Sequence, residues 1–128
     1  MRYERVSEGV FVDRPNRFIA HVLLDGQAQT VHVKNTGRCR ELLIPGCRVI
    51  LADGMNPGRR TRYDLVAVWK EGLGWVNIDS QAPNALVKEW LDTRPPCFTG
   101  LTLVRPEFPF GQSRIDFYLE HEGRRTLL

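Results

Sequence analysis

Up to about residue 79 the chain is a series of short apolar stretches, several alternating apolar with polar positions, separated by turn-forming residues. Gly9 to Val12 reads as a short strand. Arg14-Pro15-Asn16-Arg17 then makes a polar kink, because proline cannot donate to a central ladder. Phe18 to Leu24 is apolar at most positions and predicts a strand buried in part on both faces. Asp25-Gly26 predicts a two-residue hairpin turn, and Ala28 to Lys34 returns antiparallel. Val31 and Val33 take one face of that strand, His32 and Lys34 the other. Asn35-Thr36-Gly37 breaks it, and Arg38 to Leu43 predicts a short helical turn stopped by Pro45-Gly46. Strands are predicted over Arg48–Ala52, Tyr63–Trp69 and Trp75–Ile78. Asp53-Gly54-Met55-Asn56-Pro57-Gly58 is a loop between the first two, and Gly72-Leu73-Gly74 turns the chain between the last two. Short strands joined by Gly-rich turns, with one small helix among them, predict a mostly β N-terminal barrel of the OB type.

After Asp79 the grammar changes. Asn84 is an N-cap for a helix whose apolar face is Leu86, Val87, Trp90 and Leu91; it runs to about Asp92 and is ended by Pro95-Pro96. Two strands follow, Leu101–Val104 and Arg114–Leu119, separated by Phe108-Pro109-Phe110-Gly111. Arg124 to Leu128 opens a third. The boundary is placed near Ser80, giving a barrel over residues 1–79 and an incomplete α/β unit over residues 80–128. A helix and two strands are too little to bury a core alone, so the unit either leans on the barrel or is cut short.

With 42% hydrophobic and 26% charged residues the chain is a folded protein rather than a disordered one. The N-terminus is charged where a signal peptide needs an apolar core, and no apolar run spans a bilayer. A cytoplasmic protein with no membrane partner is expected. Cys39, Cys47 and Cys97 lack paired zinc spacing and are expected as free thiols of a reducing compartment. Trp69, Trp75 and Trp90 are expected in the core, with Trp75 as the alternative candidate for a base-stacking platform. His21 and His32 have no acidic partner at helical or hairpin spacing and are read as structural.

Charge changes the picture more than composition does. The net charge of +3 conceals a segment from Arg14 to Arg62 with nine basic and three acidic side chains, against seven basic and nine acidic from Tyr63 onward. Fifteen of the eighteen basic residues are arginine, which offers the forked recognition of phosphate that lysine lacks. Three basic loops fall in the biased segment: Arg14 to Arg17, Lys34 to Arg38, and Arg59-Arg60. Backbone N–H groups at the predicted helix start after Gly37 would add to the attraction for an anion. The expected partner is DNA, held by its phosphates through Arg14, Asn16, Arg17, Lys34, Asn35, Thr36, Gly37, Arg38, Arg59 and Arg60. The plainer reading makes each cluster a solvated loop and Asn35-Thr36-Gly37 turn chemistry. In the second unit, Asp116 lies within an apolar strand, where a buried carboxylate needs a cation or a metal. Glu107, one strand away, is its candidate co-ligand, and a salt bridge with Arg114 or Arg105 is the alternative.

Four motifs in order then resemble one family. Arg14-Pro15-Asn16-Arg17-Phe18, His32-Val33-Lys34-Asn35-Thr36-Gly37-Arg38, Leu42-Leu43-Ile44-Pro45-Gly46 and Ser113-Arg114-Ile115-Asp116-Phe117 are similar to the sugar fermentation stimulation protein A family. The resemblance implies an OB barrel followed by a PD-(D/E)xK nuclease-like domain, DNA binding, and regulation of sugar utilisation, maltose above all. It implies Asp116 as the first acidic, catalytic position and a Mg or Mn ligand in an intact domain, with Glu107 and Glu89 as auxiliary acids. The Glu-x-Lys half of that motif is absent from this sequence. The expectation is therefore a chain that holds no cofactor and does not cut DNA, and one that is a fragment. A homo-oligomer is left open.

Overall fold

The structure is a computed structural model that describes residues 1–55 and 57–128; Asn56, in the predicted loop at 53–58, lies outside the described residues. Contacts divide the chain into two compact units, Arg2–Gln81 and Ala82–Leu128 together with Met1.

The first unit holds β1 (Val6–Asp13), β2 (Ile19–Leu24), β3 (Gln27–Val33), β4 (Arg48–Asp53), β5 (Tyr63–Lys70) and β6 (Gly74–Asn77). Their order is β3-β2-β1-β4-β5-β6, and β3 also pairs with β5. That last pairing is parallel, His32 beside Asp64 and Val33 beside Leu65, and it closes β1 to β5 into the expected OB-type barrel. β6 extends the sheet from β5 beyond the closure. Alternate residues fill the interior: Phe11, Ala20, Val22, Val31, Val33, Val49, Leu51, Leu65 and Val68, with Leu43 and Ile78 packed against them. Each fully buried valine or leucine contributes about 1.5–3 kcal/mol relative to an exposed one.

Closure requires β1 to pair with both β2 and β4, so it must coil. A bulge between Phe11 and Asp13 supplies part of the bend. Gly9 supplies the clearance, since a Cβ there would stand 2.9 Å from the Leu23 carbonyl oxygen and 3.3 Å from Leu51 Cδ1. At the hairpin, Asp25 and Gly26 have φ of 53° and 78°, as a type I′ turn demands.

The structure departs from the sequence expectation in three places here. The strand from Phe18 is single-sided: Ala20 and Val22 are buried while Leu23 is exposed. The helix predicted over Arg38–Leu43 does not form. Cys39 takes a left-handed φ of 51°, and the Leu42 and Leu43 amides both donate to its carbonyl, at 3.1 and 2.8 Å. This is one isolated turn, because six residues do not sustain a helix without packing and Leu43 is committed to the barrel core. The tryptophans are not core. Trp75 and Trp90 are exposed, and Trp69 and Trp75 meet edge to face at 5.3 Å on β5 and β6. The Arg48 guanidinium carbon lies 5.0 Å from both of their ring centroids, tying β4, β5 and β6 together.

The second unit holds α1 (Ala82–Asp92), a 3₁₀ turn at Pro96–Phe98, and a sheet of β7 (Leu101–Phe110), β8 (Ser113–His121) and β9 (Arg124–Leu127) in that order. Leu91, Leu101, Phe117 and Leu119 form its core. Asn84 is inside the helix rather than at its cap. Pro83 stands in the first turn, where its missing N–H costs nothing, and the helix begins at Ala82, three residues before the start that an Asn84 cap implies. β7 runs through Pro106 and Pro109, expected in part as a break. It pairs with β8 on one side only among the described residues, and an edge strand tolerates proline. No helix among the described residues is long and apolar enough to cross a membrane.

Gly9→Val is expected to lower unfolding stability by about 1–3 kcal/mol, from urea denaturation followed by circular dichroism, with Gly9→Ala intermediate. A valine variant as stable as the parent would show that β1 does not need the close approach.

Candidate nucleic-acid interface

The β1–β2 loop and the segment after β3 converge on one side chain. Arg14 Nη1 donates to the carbonyls of Gly37 and Arg38 at 2.5 and 2.9 Å, and Nη2 to those of Arg17 and Asn35 at 2.7 and 2.5 Å. Its Nε is buried without a hydrogen-bond partner among the described residues. Loop carbonyls that no ladder satisfies require donors, and this guanidinium serves both loops at once. Asn16 Oδ1 accepts the Phe18 and Ile19 amides at 2.8 and 3.0 Å. Asn35 Oδ1 accepts the Gly37 amide at 2.7 Å, and its Nδ2 donates to the Ile78 carbonyl at 2.8 Å. Among the residues predicted to hold phosphate, Arg14, Asn16, Asn35 and Gly37 therefore form the frame of the loops. The expected row of amides at a helix start is replaced by an Asx turn and one isolated turn, and the Gly37 amide is already taken.

That frame encloses a cleft of about 500 Å³ lined by Asp13, Arg14, Asn16, Arg17, Arg38 and Arg40, with Phe11, Leu43, Pro15 and Pro45 as apolar walls. Arg17, Arg38 and Arg40 are exposed and make no ion pair among the described residues. Two of the three predicted basic loops thus share one cleft. Arg40, inside the predicted helical turn Arg38–Leu43, lines the same cleft as Arg38. Asp13, the acid of the cleft lining, meets His21 Nδ1 at 2.6 Å. His21 and His32 thus do have acidic partners, which adjacent strands supply. Thr36 is exposed beside the cleft loops.

The third loop is arranged differently. Arg59 is bound to Asp64, with Nη2 2.5 Å from Oδ1 and Nη1 3.3 Å from Oδ2, and His32 Nδ1 lies 3.2 Å from the same carboxylate. Burial pushes the Asp64 carboxyl upward. The hydrogen bonds and charge of Arg59, helped by Lys34 and His32, outweigh that and hold it below the ordinary carboxylate range. Lys34 Nζ lies 3.9 Å from Oδ2 of the buried Asp79, which accepts the Tyr3 hydroxyl at 2.8 Å and the Gln81 amide at 2.9 Å. The Lys34 carbonyl accepts the Ser80 amide at 2.8 Å and Oγ at 3.0 Å. Arg60 is exposed. Asp64 and Asp79 were not singled out from the sequence, although Asp64 carries the same signal as Asp116, an acid within an apolar strand.

In the second unit Asp116 is exposed rather than buried, so it needs no cation to offset desolvation; Asn84 Nδ2 donates to it at 3.3 Å. The salt bridge weighed for Asp116 forms at Glu107 instead, 2.8 Å from Arg114 Nε. Among the described residues no three His, Cys, Asp or Glu side chains gather to hold a metal ion.

Residues 12–78 match the family model described as the SfsA N-terminal OB domain. A sugar fermentation stimulation protein homolog of Alkaliphilus oremlandii is 54% identical over 129 residues, covering 99% of this chain and 54% of that protein. The homolog of Ruminiclostridium cellulolyticum is 51% identical over 120 residues, covering 94% of this chain and 52% of its own length. Among solved structures, that of Pyrococcus furiosus SfsA in complex with Ca²⁺ superposes with a TM-score of 0.82 at 25% identity, over 98% of this chain and 53% of that one. The chain spans about half the length of the curated relatives it matches.

Arg14→Lys is expected to destabilise the barrel by about 2 kcal/mol or more in urea denaturation, because three ammonium donors on a flexible stem cannot serve four carbonyls. Stability like that of the parent would contradict the clamp. Asp64 has a depressed folded pKa, so its contribution is present at neutral pH. It is lost as pH falls from the ordinary carboxylate value of about 4 through the lower folded value. Asp64→Asn should be less stable at pH 7 and lose less on acidification below pH ~4 than the parent. An unchanged acid limb would contradict the assignment.

Proposed function

We propose a role that starts from one fact: the chain belongs to the sugar fermentation stimulation protein A (SfsA) family. The barrel binds DNA by its phosphate backbone, with Arg17, Arg38 and Arg40 as the phosphate contacts and Arg14, Asn16, Asn35 and Gly37 as the frame that sets them. The observation that carries this reading is the division of labour among the arginines of one cleft. One guanidinium is used up on loop carbonyls, and three neighbours without an ion pair among the described residues are left around an open volume. Lys34, Thr36 and Arg60 are outer contacts, and Arg59, already paired with Asp64, is a minor one. DNA binding is then the means by which the cytoplasmic protein regulates sugar utilisation, maltose included.

The family membership and the Ca²⁺ of the archaeal relative support a second reading, a metal-dependent nuclease using Asp116. The described residues do not fit a metal by themselves: Glu107 is paired with Arg114 and no third ligand is near. In this reading the second unit contributes Asp116 to a site completed elsewhere, and this chain alone does not cut. Asp116→Ala should leave DNA binding unchanged.

The test is a salt titration of binding to a short duplex by fluorescence anisotropy. The three arginines contribute roughly −3 to the log–log slope, to which the outer contacts add, and each Arg→Ala change at 17, 38 or 40 should flatten it by about 1. A parent slope near zero, or slopes untouched by all three substitutions, would contradict the proposal.

A further inference from the structure

Phe18 is the most exposed aromatic side chain of the barrel unit among the described residues, at 58%, yet its backbone is fixed on both sides. Its amide donates to Asn16 Oδ1 at 2.8 Å, and its carbonyl accepts the Val33 amide at 2.8 Å. By alternation it belongs with the fully buried Ala20 and Val22, but it stands before the first residue of β2, where that inward row runs out. The residue before it, Arg17, has its carbonyl held by Arg14 and its guanidinium without an ion pair among the described residues. An exposed phenyl ring is thus carried on a fixed backbone, next in sequence to Arg17 of the cationic cleft.

Duplex DNA offers such a ring no open base face, because its bases are already stacked on each other and a wedge must first unstack a step. A single strand offers an open base face within one nucleotide of a phosphate, and an exposed ring next in sequence to an arginine of the cleft matches both. We infer that the cleft takes single-stranded DNA, with one base stacked on Phe18 and the flanking phosphates on Arg17, Arg38 and Arg40. The inference rests on the phosphate-binding reading above and adds the strand class. Phe18 is its specificity-determining residue.

The test uses the full chain and two labelled probes at low salt, an oligothymidine of about 15 nucleotides and a duplex of equal length. The single strand should bind more tightly. Phe18→Ala should weaken it by about 5- to 150-fold, the range expected of one stacked base, and leave the duplex unchanged. Phe18→Leu keeps the apolar bulk without the aromatic face and should lose nearly as much, whereas Phe18→Trp should retain binding. Circular dichroism confirms that each variant is folded. Equal losses on both probes, or no loss on the single strand while duplex binding stays salt-dependent, overturns the stacking inference alone. Failure of the parent to bind either probe overturns it together with the phosphate-binding reading.

Discussion

Four carbonyls on one guanidinium hold together the β1–β2 loop and the segment after β3. The β1–β2 loop and the segment that follows β3 carry few ladder bonds of their own, and their polar backbone groups need partners. Arg14 supplies them from one planar, permanently charged fork. The consequence reaches beyond stability. A positive charge directed at carbonyl dipoles is partly neutralised there, so the exposed charge of the cleft belongs to Arg17, Arg38 and Arg40, whose spacing the clamp sets.

A second layer supports the first. Asn35 is tied to the Ile78 carbonyl, and Lys34 is bounded by Ser80 and by the buried Asp79, so the segment leaving β6 braces the segment leaving β3. Asp64 does the same for the β4–β5 loop by holding Arg59 and His32 at the parallel β3–β5 seam that closes the barrel. The acids of this unit are therefore mostly engaged by its own cations. Arg17, Arg38 and Arg40, without an ion pair among the described residues, share one cleft in which Asp13 is the acid of the lining.

Much of the architecture was legible in the sequence because it follows from local rules. Val31 and Val33 alternate with polar neighbours, Asp25-Gly26 specifies its turn, and the short strands with Gly-rich connections announce a barrel. The failures are non-local. Nothing in Arg38 to Leu43 reveals that Leu43 is wanted by a core formed from distant strands, and that demand overrode the helix. Pattern alone also does not reveal that Arg14 would be spent on carbonyls. An arginine in a basic loop looks the same whether it faces a phosphate or the chain's own backbone. Asp116 shows the complementary error: a carboxylate flanked by Ile115 and Phe117 implied burial, yet at its place in β8 it is exposed. The histidine partners were missed because Asp13 and Asp64 lie across strand pairings rather than at nearby sequence offsets.

Which arginines of the cleft are open to a ligand is read directly by side-chain NMR of the arginine Nε–Hε groups during titration with a short oligonucleotide. Resonances of Arg17, Arg38 and Arg40 should move with added ligand while that of Arg14 stays fixed. Perturbations centred instead on Arg48 or Arg59, or an Arg14 signal that shifts as its carbonyl bonds are released, would contradict that assignment.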